Sequence, residues 1–161
     1  MGGRDCVVVC GLDGSPAGLR ALEWAFDEAH RRGCRLRAVT VWSWNGPEYG
    51  MTVSSPAEAR ERAADVQDEV LEKVVGGRRE PEVERLILEG RPSERICAAA
   101  ADAELIVVGS CGHGAFHDAL VGSTSQHVIR HAPCPVVVVP DPGHVDRARR
   151  LAASHRGPVR S

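Results

Sequence analysis

Glu104-Leu105-Ile106-Val107-Val108-Gly109-Ser110-Cys111-Gly112-His113-Gly114, resumed at Gly122-Ser123-Thr124-Ser125-Gln126, is the stretch that decides the fold. Glu104 to Val108 is a short apolar run of strand type, a glycine-rich loop follows, and Ser123 opens a segment with helical spacing. Glycines let a backbone turn its N–H groups toward an anion. A helix N-terminus adds unpaired donors and a favourable dipole. The junction therefore predicts a phosphate-binding corner between a strand and a helix.

Its spacing is Gly-x2-Gly-x9-Gly-Ser, carried by Gly109, Gly112, Gly122 and Ser123. The dinucleotide pattern Gly-x-Gly-x-x-Gly needs a helix directly after its glycines and an acidic residue about 20 positions on, so it does not fit. A Walker loop needs a lysine for the β- and γ-phosphates. The single lysine, Lys73, lies in a charged helical stretch far from any glycine loop. That absence argues against a fast ATPase and against lysine Schiff-base chemistry.

Outward from the junction, five strand-like runs alternate with four helical segments. Cys6 to Leu12 is almost continuously apolar, as a parallel strand buried on both faces requires. Asp13-Gly14-Ser15-Pro16 turns the chain, with Ser15 as N-cap and Pro16 at the first helical position. Leu22, Ala25, Phe26 and Ala29 then recur at helical spacing until Gly33. Leu36 to Trp42 is a second strand, and 45–55, carrying Gly46, Pro47 and Gly50, is expected to be a mobile loop over one end of the sheet. Ala59, Ala63, Val66, Val70 and Val74 form the stripe of a second helix that Gly76-Gly77 stops. Val83 to Leu88, Pro92 to Ala101, Glu104 to Val108, Ser123 to His131 and Val136 to Val139 complete the alternation. Strands separated by helices predict right-handed crossovers and one parallel sheet covered on both faces.

A chain of 161 residues suits one domain, here 1–140. Residues 141–161 hold five arginines against two aspartates and little periodic apolar content, and read as a basic, disordered tail; a short docked helix around 146–153 is the alternative. A net charge of −2 and 4% aromatic residues argue against nucleic acid as a partner. With no long apolar run and no secretory leader pattern, a soluble cytoplasmic protein without membrane contact is expected. The six cysteines form no Cys-x-x-Cys pair, and in that compartment they read as reduced thiols packed as small hydrophobes; Cys111, inside the glycine loop, is a candidate redox-sensitive thiol. Cys111, His113 and His117, and separately His127, His131 and Cys134, each fall short of four zinc ligands, so no metal site is predicted.

Taken in order, Gly11-Leu12-Asp13-Gly14-Ser15-Pro16, Ala38-Val39-Thr40-Val41-Trp42, Val107 to Gly114, Leu120 to Val128 and Ala132 to Val139 resemble the universal stress protein family, over about residues 5 to 140. The resemblance implies a doubly wound five-stranded sheet of order 3-2-1-4-5, which sets the ends of the first and fourth strands side by side at a topological switch point. It identifies the branch whose full glycine motif binds ATP. It implies nucleoside contacts at Asp13 and the Val41 backbone, phosphate contacts at Gly109, Gly112, Gly122, Ser123 and Ser125, and Mg²⁺ accompanying the ATP. It also implies a homodimer through the last strand, Val136 to Val139, whose apolar edge needs cover.

Many members carry a basic residue at the positions of Cys111 and His113, so weaker retention of a triphosphate is expected here. Each candidate residue also has an ordinary structural reading, Asp13 as an Asx turn and Ser123 or Ser125 as helix caps. No Ser/His/Asp order or paired carboxylate motif supplies a general base, so no catalytic residue is assigned and ATP hydrolysis is expected to be slow at most. The leading expectation is a stress-response regulatory protein that binds ATP, with cAMP as another adenine nucleotide, and signals to a regulatory protein partner. A nucleotide-free dimeric interaction module and an adenylyl- or phosphoryl-transfer enzyme are the alternatives.

Overall fold

The computed structural model describes residues 5–44, 55–111 and 121–155. In chain order its elements are β1 (Val7–Leu12), α1 (Pro16–Arg32), β2 (Arg35–Trp42), α2 (Pro56–Val75), β3 (Val83–Glu89), α3 (Pro92–Ala99), β4 (Leu105–Gly109), α4 (Ser123–His131), β5 (Val136–Val139) and α5 (Pro142–Ser154). The strands form one parallel sheet in the order β3-β2-β1-β4-β5, with Val9 opposite both Arg37 and Ile106 and Val107 opposite Val137. The doubly wound α/β reading therefore holds, strand order included.

Alternation along the strands divides the core into two layers. Cys6, Val8, Cys10 and Leu12 of the β1 segment pack with Ala21, Leu22, Ala25 and Phe26 of α1 and with Val70, Leu71 and Val74 of α2. Val7 and Val9 face the opposite way, joining Val39, Val41, Ile106 and Val108 against Ile96 and Val128. Both faces are covered, which is why these strands read as apolar runs rather than as alternating patterns. The α1 boundaries have local causes. Ser15 Oγ accepts from the Gly18 N–H, Pro16 occupies the first turn, and Gly33 closes the helix at φ 67°, a left-handed conformation suited to glycine.

Three differences from the sequence reading stand out. Cys6 and Cys34 are joined in a disulfide, so the expectation of six reduced thiols is corrected. Their 28-residue separation hides the pairing, but the register of Val7 opposite Arg35 sets the residues just before them side by side. Second, Pro142–Ser154 forms a fifth helix where composition suggested disorder; Asp141 caps it by accepting from the Gly143 N–H, a stronger local signal than the sparse apolar pattern. Third, Gln67 lies buried inside the α2 stripe, between Ala63 and Val70 in helical spacing. Its Nε2 donates toward the Ala38 and Leu86 carbonyls and Thr40 Oγ1, tying α2 to β2 and β3. Among the described residues no helix is long and apolar enough to cross a membrane. The expected mobile loop lies almost wholly outside the described residues, as do Gly112, His113 and His117.

Candidate functional site

The carboxyl ends of β1 and β4 are neighbours, and the chain leaves them in opposite directions across the sheet, β1 toward β2 and β4 toward β5. In an open parallel sheet this is the crevice where ligands bind. Two helix N-termini converge on it. α1 begins after Asp13-Gly14-Ser15, and α4 begins after Gly122.

Gly109 ends β4 directly against α1. A Cβ placed there would sit 2.8 Å from the Ala17 carbonyl carbon and 2.9 Å from both Ala17 Cβ and the Gly18 nitrogen. Only glycine lets the strand end approach the helix start so closely. Above this contact, the Ser15 hydroxyl reaches the Cys111 carbonyl at 3.4 Å, linking the α1 cap to the loop that leaves β4. Ser15 is buried, and its contact with Cys111 was not among the sequence expectations, since the two lie 96 positions apart.

Asp13 is exposed, and its Oδ1 accepts from the Ser15 N–H at 2.9 Å. This is the Asx-type turn that Asp-Gly-Ser-Pro favours. Val41 is buried in β2 with its side chain in the second core layer, on the α3 and α4 side. Ser125 is buried too, and its hydroxyl donates to the Gly109 carbonyl at 2.5 Å, fastening α4 to the end of β4. Ser123 is exposed at the first position of α4. Neither serine caps the helix. Gly122 is the N-cap residue, no side chain closes that end, and the first turn contains no acidic residue. The leading N–H groups of α4 have no partner within the helix and, among the described residues, no side-chain capping oxygen, which is the arrangement that accepts an anion. Gly109, Gly122, Ser123 and Ser125 are thus brought together at one corner, with Asp13 on the β1 side of the crevice.

The thiols of the core are held neutral. Burial, with the Asp13 carboxylate as a lesser cause, pushes Cys10 far above the ordinary thiol range. Burial likewise raises Cys97, and burial together with Cys97 raises Cys134. The one grouping of metal-ligand types among the described residues is Cys6, Cys34 and Glu104, whose two sulfurs are already bonded to each other. His127 and His131 lie one turn apart with their rings tilted by 48° and centroids 4.2 Å apart.

The universal stress protein family matches the chain over residues 7–140. Universal stress protein Rv1996 of Mycobacterium tuberculosis H37Rv is 39% identical over 136 residues, 81% of this chain and 43% of that protein; the chain thus spans less than half of this relative's length. A universal stress protein structure from Archaeoglobus fulgidus DSM 4304 is 32% identical at a TM-score of 0.58, covering 85% of this chain and 44% of that one. A universal stress protein solved in complex with cAMP shares the fold at 24% identity and a TM-score of 0.56, over 85% of this chain and 98% of the other. The match begins at the first residue of β1 and ends just beyond β5, and strand order and glycine junction agree with it: this chain belongs to the universal stress protein family.

Proposed function

We propose that this chain is a regulatory protein that binds an adenine nucleotide, ATP with Mg²⁺ in the first instance, at the crevice between β1 and β4. The observation that carries the reading is the open N-terminus of α4. Gly122 stands at the cap position without a closing side chain, Ser123 is exposed beside it, and Gly109 lies beneath, packed against the start of α1. Backbone N–H groups of Gly122 and Ser123 and the Ser123 hydroxyl would hold phosphate oxygens; the Ser125 hydroxyl, bonded to Gly109, keeps that strand end in place. Asp13 and the Val41 backbone would face the nucleoside, and Gly112, outside the described residues, belongs to the same motif. Mg²⁺ would supply charge neutralisation between phosphate oxygens, with a serine hydroxyl as its protein ligand.

The cAMP complex of a fold neighbour supports an adenine nucleotide as the ligand class and makes cAMP the rival ligand. With no lysine in the glycine-loop sequence and no Ser/His/Asp order or paired carboxylate motif in the chain, the reading includes hydrolysis slower than about one turnover per minute. A regulatory protein partner and a second copy of this chain along Val136–Val139 are the protein contacts it entails. Equilibrium dialysis of nucleotide-stripped protein against labelled ATP and labelled cAMP tests the reading. Saturable retention of ATP supports it, retention of cAMP alone would reassign the ligand, and retention of neither would overturn it.

A further inference from the structure

Ser110 spends each of its polar groups on a different part of the chain. Its N–H donates to the Val139 carbonyl at the end of β5 at 2.8 Å, its carbonyl accepts from the Gly122 N–H at 2.5 Å, and its hydroxyl accepts from the Asp141 N–H at 3.1 Å. Gly122 is the cap position of α4 and Asp141 that of α5. One buried serine thus joins the candidate phosphate corner to the root of the C-terminal helix.

Among the described residues, α5 has little other anchorage. It buries none of its residues, and Leu151 is left 56% exposed. Besides the Ser110 bond, its root is held by Arg20 Nη1 donating to the Pro140 carbonyl at 3.1 Å. Where burial contributes so little, the position of a helix rests on such bonds, and the loss of one shifts its opening equilibrium measurably.

We propose that Ser110 is a positioning residue through which occupation of the phosphate corner loosens α5. The inference rests on the nucleotide reading above and adds its regulation. The Gly122 N–H has one hydrogen. It serves either the Ser110 carbonyl, as in this structure, or a phosphate oxygen. When phosphate takes it, the Ser110 carbonyl loses its partner, the residue is held on that side only by its N–H bond to Val139, and the bond from its hydroxyl to the Asp141 N–H weakens. Docked α5 and bound phosphate then oppose each other. Linkage makes the antagonism reciprocal, so a protein whose α5 is already loose binds the nucleotide more tightly.

Hydrogen exchange on the full-length chain, with binding followed by calorimetry in the same buffer, tests this. In the unsubstituted protein ATP with Mg²⁺ is expected to speed exchange across Val145 to Leu151 while slowing it at Ser123 to Ser125. In Ser110→Ala the α5 amides are expected to exchange fast without nucleotide, to be indifferent to it, and ATP to bind about three- to tenfold tighter, the scale of one hydrogen bond. Ser110→Thr, which keeps the hydroxyl, is expected to restore the original behaviour. Binding heat with unchanged α5 exchange would overturn the coupling alone, as would Ser110→Ala exchanging like the unsubstituted protein. Absence of binding heat would instead overturn the nucleotide reading and, with it, nucleotide as the trigger.

Discussion

Gly109 sits where a strand end meets the backbone of the first turn of α1, and two of the three nearest atoms to a Cβ there belong to that backbone. Backbone gives way less readily than a side chain, so Gly109→Ala is expected to lose about 1–3 kcal/mol of stability, the usual cost of overpacking; a urea midpoint equal to that of the unsubstituted protein would contradict the packing argument. Cys10 makes a different kind of prediction. Its folded thiol titrates far above the free value of about 8.5, so the unfolded chain loses the proton first. The contribution is complete below that pH and declines as pH rises toward the folded value, at about 1.4 kcal/mol per pH unit. Cys10→Val should flatten the alkaline fall in unfolding free energy between pH 8.5 and 10.5 by one proton's worth. Equal slopes would show that Cys10 is solvated. At this scale the glycines were legible in the sequence because a motif demands them. Ser110 was not, since its partners Val139, Gly122 and Asp141 become neighbours only through the fold.

The elements were legible where local chemistry and periodicity agreed. α4 and β5 fall on the expected residues, and α1 runs from its Ser15 cap to Gly33. Gln67 shows where pattern reading fails: it occupies a stripe position, yet its polarity assigns it to the outer face, and only the carbonyls of β2 and β3 explain its burial. α5 is the opposite case: the helix weighed as the alternative around 146–153 is present as Pro142–Ser154, and the disordered reading prevailed in the sequence because its composition is basic and it buries none of its residues. The Cys6–Cys34 bond staples the starts of β1 and β2 across the loop made by α1. Closing a loop of that length restricts the unfolded chain, and reduction is expected to lower stability by about 2–4 kcal/mol. Urea unfolding of Cys6→Ser/Cys34→Ser against the oxidised protein measures it. Indistinguishable midpoints would mean that the bond constrains nothing the register does not already fix.

For the molecule as a whole, alternating strands and helices led to the parallel sheet, and the resemblance supplied the strand order. The switch point follows from that order and not from any local pattern. Among the described residues β5 pairs with β4 alone, and its valine edge is where the proposed second copy would pair. Light scattering at micromolar concentration should give twice the 17.3 kDa chain mass, and a monomer would contradict pairing along that edge. The central claim concerns the crevice. Calorimetric titration of nucleotide-stripped protein with ATP and Mg²⁺, run beside Gly122→Val, addresses it most directly, because Gly122 is the cap residue of α4 and belongs to neither β1 nor β4. Saturable binding is expected in the unsubstituted protein, and its loss in the variant. Unaltered binding in Gly122→Val, or no binding by either protein at millimolar ATP, would contradict it.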